Sequence, residues 1–147
     1  MEASYGPWRA IPAFVGVYHL VVGLVLMFSG EAAIKAAKVF GGMTVVGSPE
    51  MGILGEVLAC YVLAFGAMML VAAYDPVKNR ACLSIGATLC ALRVLQRLLF
   101  GSKLMSVFQM DAAHYWGSLA IVTVLGAGLA LFRWRLYQAT PGGPASR

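Results

Sequence analysis

The sequence predicts an all-α polytopic membrane protein: four transmembrane helices in an antiparallel bundle, with a short amphipathic helix between the first and the second. Three observations predict it. Four apolar runs, Ile11–Ser29, Met51–Tyr74, Ala81–Phe100 and Ala112–Phe132, fill most of the 147 residues. Each is about long enough to cross a ~30 Å hydrocarbon core at about 1.5 Å per helical residue. Hydrophobic residues make up 61% of the chain and charged ones 12%, too few to cover the surface of a water-soluble domain. Finally, the turn-forming residues fall between the runs, as Gly47-Ser48-Pro49 and Asp75-Pro76.

The elements follow in order. Residues 1–10 form a short polar lead in which Trp8 suits a membrane interface, and Pro12 suits the first turn of a helix. Ile11–Ser29 is longer than a signal-peptide core. It is preceded by Glu2 and a single base, Arg9, so it is expected to stay as an anchor. Glu31–Phe40 is Ala-rich, with Glu31 and Lys35 spaced to pair along a helix; it is expected to lie at the membrane surface. Gly41-Gly42 ends it. The tight link Asp75–Arg80 predicts that the second and third spans are antiparallel neighbours. Gly101–Asp111 leads to the fourth span, which opens near Tyr115 and Trp116 and closes at Arg133 and Arg135. Residues 1–140 read as one transmembrane domain. Residues 141–147, rich in Pro, Gly and Ala, read as a tail disordered on its own.

The formal net charge is +5. No basic cluster accompanies it, so it reads as the cationic flanks of membrane helices and not as nucleic-acid binding. Arg9, Lys78, Arg80, Arg133, Arg135 and Arg147 fall on one side, Lys35, Lys38 and Lys103 on the other. That bias places both termini in the cytoplasm of a bacterial inner membrane or its organellar equivalent. Cys60, Cys82 and Cys90 lie within apolar runs, and no C-x-x-C pair offers a redox dithiol or zinc site. They read as packing residues.

Polar residues inside the spans are the candidates for function, because their burial must be compensated. Arg93 and Arg97 stand one turn apart on the third span, ~18 and ~24 Å from its cytoplasmic end. Glu56 on the second span lies ~22 Å from the same edge. An ion pair of Glu56 with Arg93 or Arg97 is the natural solution, with Gln96 adding a hydrogen bond and Asp111 and His114 closing the cluster. The spare positive charge would alternatively hold a lipid phosphate or a quinone oxygen. His19 shares its helix with the small residues Gly16 and Gly23, where a neighbouring helix or a flat cofactor could approach. It is a candidate axial ligand of a tetrapyrrole, or a histidine bonded to backbone. A bis-histidine iron site with His114 fails, since the two stand ~15 Å apart in height. Gly55–Ala59 and Gly126–Ala130 are small-xxx-small pairs suited to close helix contact.

No nucleophile–base set, phosphate-binding glycine loop or H-E-x-x-H is present. Hydrolase and kinase chemistry are therefore not written here, and a transporter repeat is not evident. The glycine-bearing first run, the amphipathic Glu31–Phe40, Gly52-x-x-Gly55 and the turn Ala72–Arg80 together resemble the DoxX-like group of small bacterial four-helix membrane proteins. The resemblance implies the fold; some members are associated with quinone-linked oxidoreductases, and no catalytic residue transfers. The leading functional reading is a non-catalytic membrane subunit or scaffold. It would dock on a larger membrane-protein complex, such as an electron-transfer, photosynthetic or respiratory assembly, through glycine and alanine faces. The alternative is a binder of quinone, lipid or tetrapyrrole within the bundle. Whether the chain catalyses any reaction stays open.

Overall fold

The computed structural model describes residues 6–44 and 47–139. They form α1 (Gly6–Phe28), α2 (Gly30–Gly41), α3 (Pro49–Tyr74), α4 (Arg80–Val107) and α5 (Ala112–Gln138). All but α2 are long and apolar enough to cross a membrane. The expected tail, 141–147, lies outside the described residues.

Capping side chains set several boundaries. Ser29 accepts from the Ala32 N–H at 3.3 Å and starts α2, which ends at Gly42 in the left-handed region at φ 60°. Glycine adopts that conformation without a Cβ clash. Ser48 accepts from the Met51 N–H at the start of α3, with Pro49 in the first turn. Between α3 and α4, the Asp75 carboxylate accepts from the Lys78 N–H at 3.0 Å, and the Asn79 amide donates to the Asp75 carbonyl at 2.9 Å. Asp111 caps α5 by accepting from the His114 N–H at 3.0 Å.

The long helices pack as two antiparallel pairs. α1 lies along α3, and α4 lies along α5. Glycines allow the first pair its close approach. A Cβ on Gly66 would stand 2.9 Å from both the Gly16 carbonyl oxygen and the Leu20 backbone nitrogen, and one on Gly23 would meet Leu63 at 2.7 Å. In the second pair, a Cβ on Gly126 would meet Cys90 at 2.7 Å. Of the two small-residue pairs in the sequence, Gly126–Ala130 thus contributes Gly126 to an internal contact. In the other, Ala59 is buried but Gly55 faces open space.

α3 and α4 are antiparallel neighbours as expected, but neither is the other's main partner. They meet near their connecting turn, where Gly86 packs against Met69 and Leu129, and otherwise contribute little to each other. A short link fixes direction and proximity only at the turn, whereas the glycine stripes draw α3 to α1. At this turn end Val15, Met69, Ala72, Leu83, Leu129, Phe132 and Leu136 form the core, joining all four spans. Trp8 covers it, stacked on Phe132 at 6.2 Å between centroids. At the opposite end, the Thr44 N–H donates to the Phe108 carbonyl at 2.8 Å, and His114 packs on Gly42. Many large apolar side chains, among them Phe14, Ile53, Leu98 and Val124, point outward. Lipid is the solvent that tolerates them.

α4 holds one break in regularity. The sequence ends its third span at Phe100; the helix instead bends there (φ −118°, ψ 16°) and runs on to Val107.

Candidate functional site

The polar side chains of the spans gather along α4 and its seam with α5. Arg97 is the best held. Its Nη1 donates to Ser118 Oγ at 2.6 Å, and Ser118 Oγ donates to the Tyr115 carbonyl at 2.9 Å. Tyr115 is buried, and its hydroxyl donates to the Arg97 carbonyl at 2.7 Å. That carbonyl lies just before the bend at Phe100, so the phenol supplies it with a partner where the helix ladder is distorted. Gly101 makes room for the ring, since a Cβ there would collide with the Tyr115 oxygen.

Two substitutions test this clasp. Tyr115→Phe removes the hydroxyl and should cost about 1 kcal/mol. Gly101→Ala should cost more, by displacing the whole ring. Because both break the same bond, the double variant should melt in detergent close to Gly101→Ala alone, well above the additive expectation.

Arg93 and Gln96 are exposed, as is Glu56 on α3. The predicted ion pair of Glu56 with Arg93 or Arg97 is not formed. Among the described residues the ion pairs within 4.0 Å are Lys35–Glu31 and His114–Asp111, and no charged side chain is buried. The cause is the pairing of the helices: α3 turns its contact face to α1, which leaves Glu56 on the outside of the bundle. Asp111 and His114 do not close a cluster with the arginines either; they pair with each other at the start of α5.

The Asp111 carboxyl is held below its usual range by hydrogen bonds to its ionised form, first from the His114 backbone N–H and then from the His114 ring. A depressed folded-state value stabilises the cap above the unfolded value of ~3.9, and the benefit is lost as pH falls through the folded value. Protection of the His114 amide from exchange, relative to its intrinsic rate, should therefore fall below about pH 4, and Asp111→Ala should abolish that pH dependence.

His19 is half-buried on α1. Its Nδ1 hydrogen-bonds the Val15 carbonyl at 2.7 Å, and its ring meets Phe65 of α3 edge-on at 4.7 Å. The glycine face of α1 is filled by Gly66, Leu63 and Leu70. A flat tetrapyrrole has no room on that face, and α3 is the neighbour it admits.

The sequence reading also missed Ser118 and Tyr115. Their signal was the antiparallel register: once Cys90 is set opposite Gly126, Arg97 falls opposite Ser118 and Gly101 opposite Tyr115. Cys60, expected to pack, is exposed and bonds only its own helix, to the Glu56 carbonyl at 3.6 Å. Cys82 and Cys90 are partly buried thiols beside the core. Among the described residues no three His, Cys, Asp or Glu side chains stand close enough to hold a metal ion. The arrangement offers fixed hydrogen-bond donors and uncompensated charge at membrane depth. No protein-family model, curated protein or solved structure matches the chain.

Proposed function

We propose that this four-span membrane protein is a non-catalytic subunit, docking on the transmembrane helices of a larger membrane assembly through the exposed polar positions of α3 and α4. One observation carries the reading. Glu56 and Arg93 are exposed on helices built to cross a bilayer, and neither has a partner of opposite charge within 4.0 Å among the described residues. Ionised side chains at mid-membrane cost about 2.5–3.5 kcal/mol each on insertion scales. A partner helix bearing a base opposite Glu56 and an acid opposite Arg93 removes that cost. The resemblance to DoxX-like proteins, some associated with oxidoreductases, agrees with a subunit role. The excess of Lys and Arg at the α3–α4 turn end puts that end in the cytoplasm in this reading.

Copurification from native membranes in mild detergent tests the proposal. A stoichiometric membrane partner is expected, and Glu56→Gln or Arg93→Leu should weaken its retention at least tenfold (about 1.4 kcal/mol) while leaving the isolated chain folded. A monodisperse monomer from those membranes, with no partner, overturns it.

A second reading, a bound quinone or lipid, has its own support. The His19 Nδ1–H donates to the Val15 carbonyl, so in the neutral ring Nε2 is left as an acceptor for the hydroxyl of a quinol or a lipid. Organic extraction and absorption spectroscopy of the purified protein would reveal the ligand. His19→Ala should release it, and an extract free of quinone and stoichiometric lipid rules this second reading out.

A further inference from the structure

A shallow, open groove of about 420 Å³ lies between α4 and α5 near the turn end, lined by Ser84, Ala87, Ala130, Arg133, Trp134 and Tyr137. None of these residues belongs to the polar positions discussed above. The groove is graded along its length. Arg133 sits at its outer part, with Nε donating to Ser84 Oγ at 3.1 Å and the guanidinium carbon 5.8 Å from the Tyr137 ring centre. Ala130 and Ala87 each lie three residues further into the bilayer on their own helices, about 4.5 Å deeper. One end is therefore cationic and hydrogen-bonding, and the other is a small-walled apolar trough. The aromatic side chains Trp134 and Tyr137 flank the cationic end, as aromatic residues do at the headgroup level.

The guanidinium is oriented but not neutralised. The serine and the tyrosine face position it without carrying a formal negative charge, and no described carboxylate lies within 4.0 Å of it. Arg9, Lys78, Arg80 and Arg135 lie at the same end of the bundle, where Asp75 is the one described carboxylate, so an anion arriving there meets a net positive field.

We propose that this groove is a binding site for an anionic glycerophospholipid of the adjoining leaflet. Its phosphate is held by Arg133 and Ser84, and an acyl chain lies along Ala87 and Ala130. The polarity of the groove matches that of the lipid in the same direction, head outward and chain inward. The fixed guanidinium presents its remaining N–H donors to phosphate oxygens. A zwitterionic lipid fits the trough equally well but brings a compensating positive charge to an already cationic end.

The test is titration of the delipidated, detergent-solubilised full chain with phosphatidylglycerol and phosphatidylcholine of identical acyl chains, read by native mass spectrometry. The wild type is expected to retain phosphatidylglycerol about tenfold more tightly. Arg133→Gln should erase that preference, and Arg135→Gln, a charge at the same end but outside the groove, should leave it intact. Ala130→Leu, at an exposed position where folding is not at risk, should reduce retention of both lipids by filling the trough. Inorganic phosphate at millimolar concentration should not compete, since it lacks the chain. Equal retention of the two lipids by the wild type overturns the proposal. So does equal loss of preference in Arg133→Gln and Arg135→Gln, which would assign it to the general field of the surface. Full competition by inorganic phosphate would reduce the site to an anion site and overturn the lipid assignment.

Discussion

Replacing Gly66 by valine should separate α1 from α3. The Cβ alone would stand 2.9 Å from the Gly16 carbonyl oxygen and from the Leu20 backbone nitrogen, and 3.0 Å from the Leu20 side chain. Two of those three neighbours are backbone, so no rotamer change relieves the contact. The helices must move apart, and the interlocked Gly16, Gly23 and Leu63 contacts loosen with them. Overpacking of this kind costs about 1–3 kcal/mol in well-packed interiors. The effect in lipid should fall at the upper end, since close approach is the main attraction between apolar helices there. Unfolding in a graded detergent mixture, with a fluorescence pair on α1 and α3, should show early loss of their proximity. Gly55→Ala is the control. That position has nothing within 4 Å, so the alanine should be neutral or stabilise through helix propensity. A variant in which valine at 66 melts with the wild type would mean that the glycine stripe does not hold this pair.

Phe132→Ala should produce the other large effect. Phe132 is fully buried, stacks on Trp8 of α1 and packs within the core that unites all four spans. In a water-soluble core such a truncation costs ~3–5 kcal/mol, of which part is transfer from water and part the cavity left behind. In a bilayer the transfer part largely disappears, because lipid is as apolar as the core. The cavity and lost dispersion remain, for an expected loss of about 2 kcal/mol. The loss should be cooperative across the bundle, because this is where the α1–α3 and α4–α5 pairs meet. Thermal unfolding followed separately by probes in each pair should shift both transitions together. A shift confined to the α4–α5 pair would show that the pairs are held together elsewhere.

These outcomes separate what could be read along the chain from what could not. The four spans, the amphipathic α2 with its Gly42 end and the antiparallel order were legible, because lipid imposes a length and composition on every spanning helix. Phe100 was marked as an end and proved to be a bend; a local break in helical preference looks the same in sequence whether the helix stops or turns. The outward direction of Glu56, which leaves its predicted ion pair unformed, was not legible. The residue's height could be estimated from rise per residue, but its direction depends on rotation about the helix axis. That rotation is fixed by which neighbour the glycines admit. The cluster at Arg97 was legible in one member only, since Ser118 and Tyr115 acquire their roles from register between helices.

The sequence by itself determined that this chain spans a membrane, how many times it does so and which few charged residues travel with it. It did so because transfer of side chains between water and lipid is a sum over residues and needs no partner to be evaluated. Only the tertiary structure decided that α1 pairs with α3, that Arg97 is clasped by α5 and that Glu56 and Arg93 face outward. Those are properties of contact between helices, set by a few tenths of an ångström at Gly16, Gly66 and Gly126, and no single segment carries them.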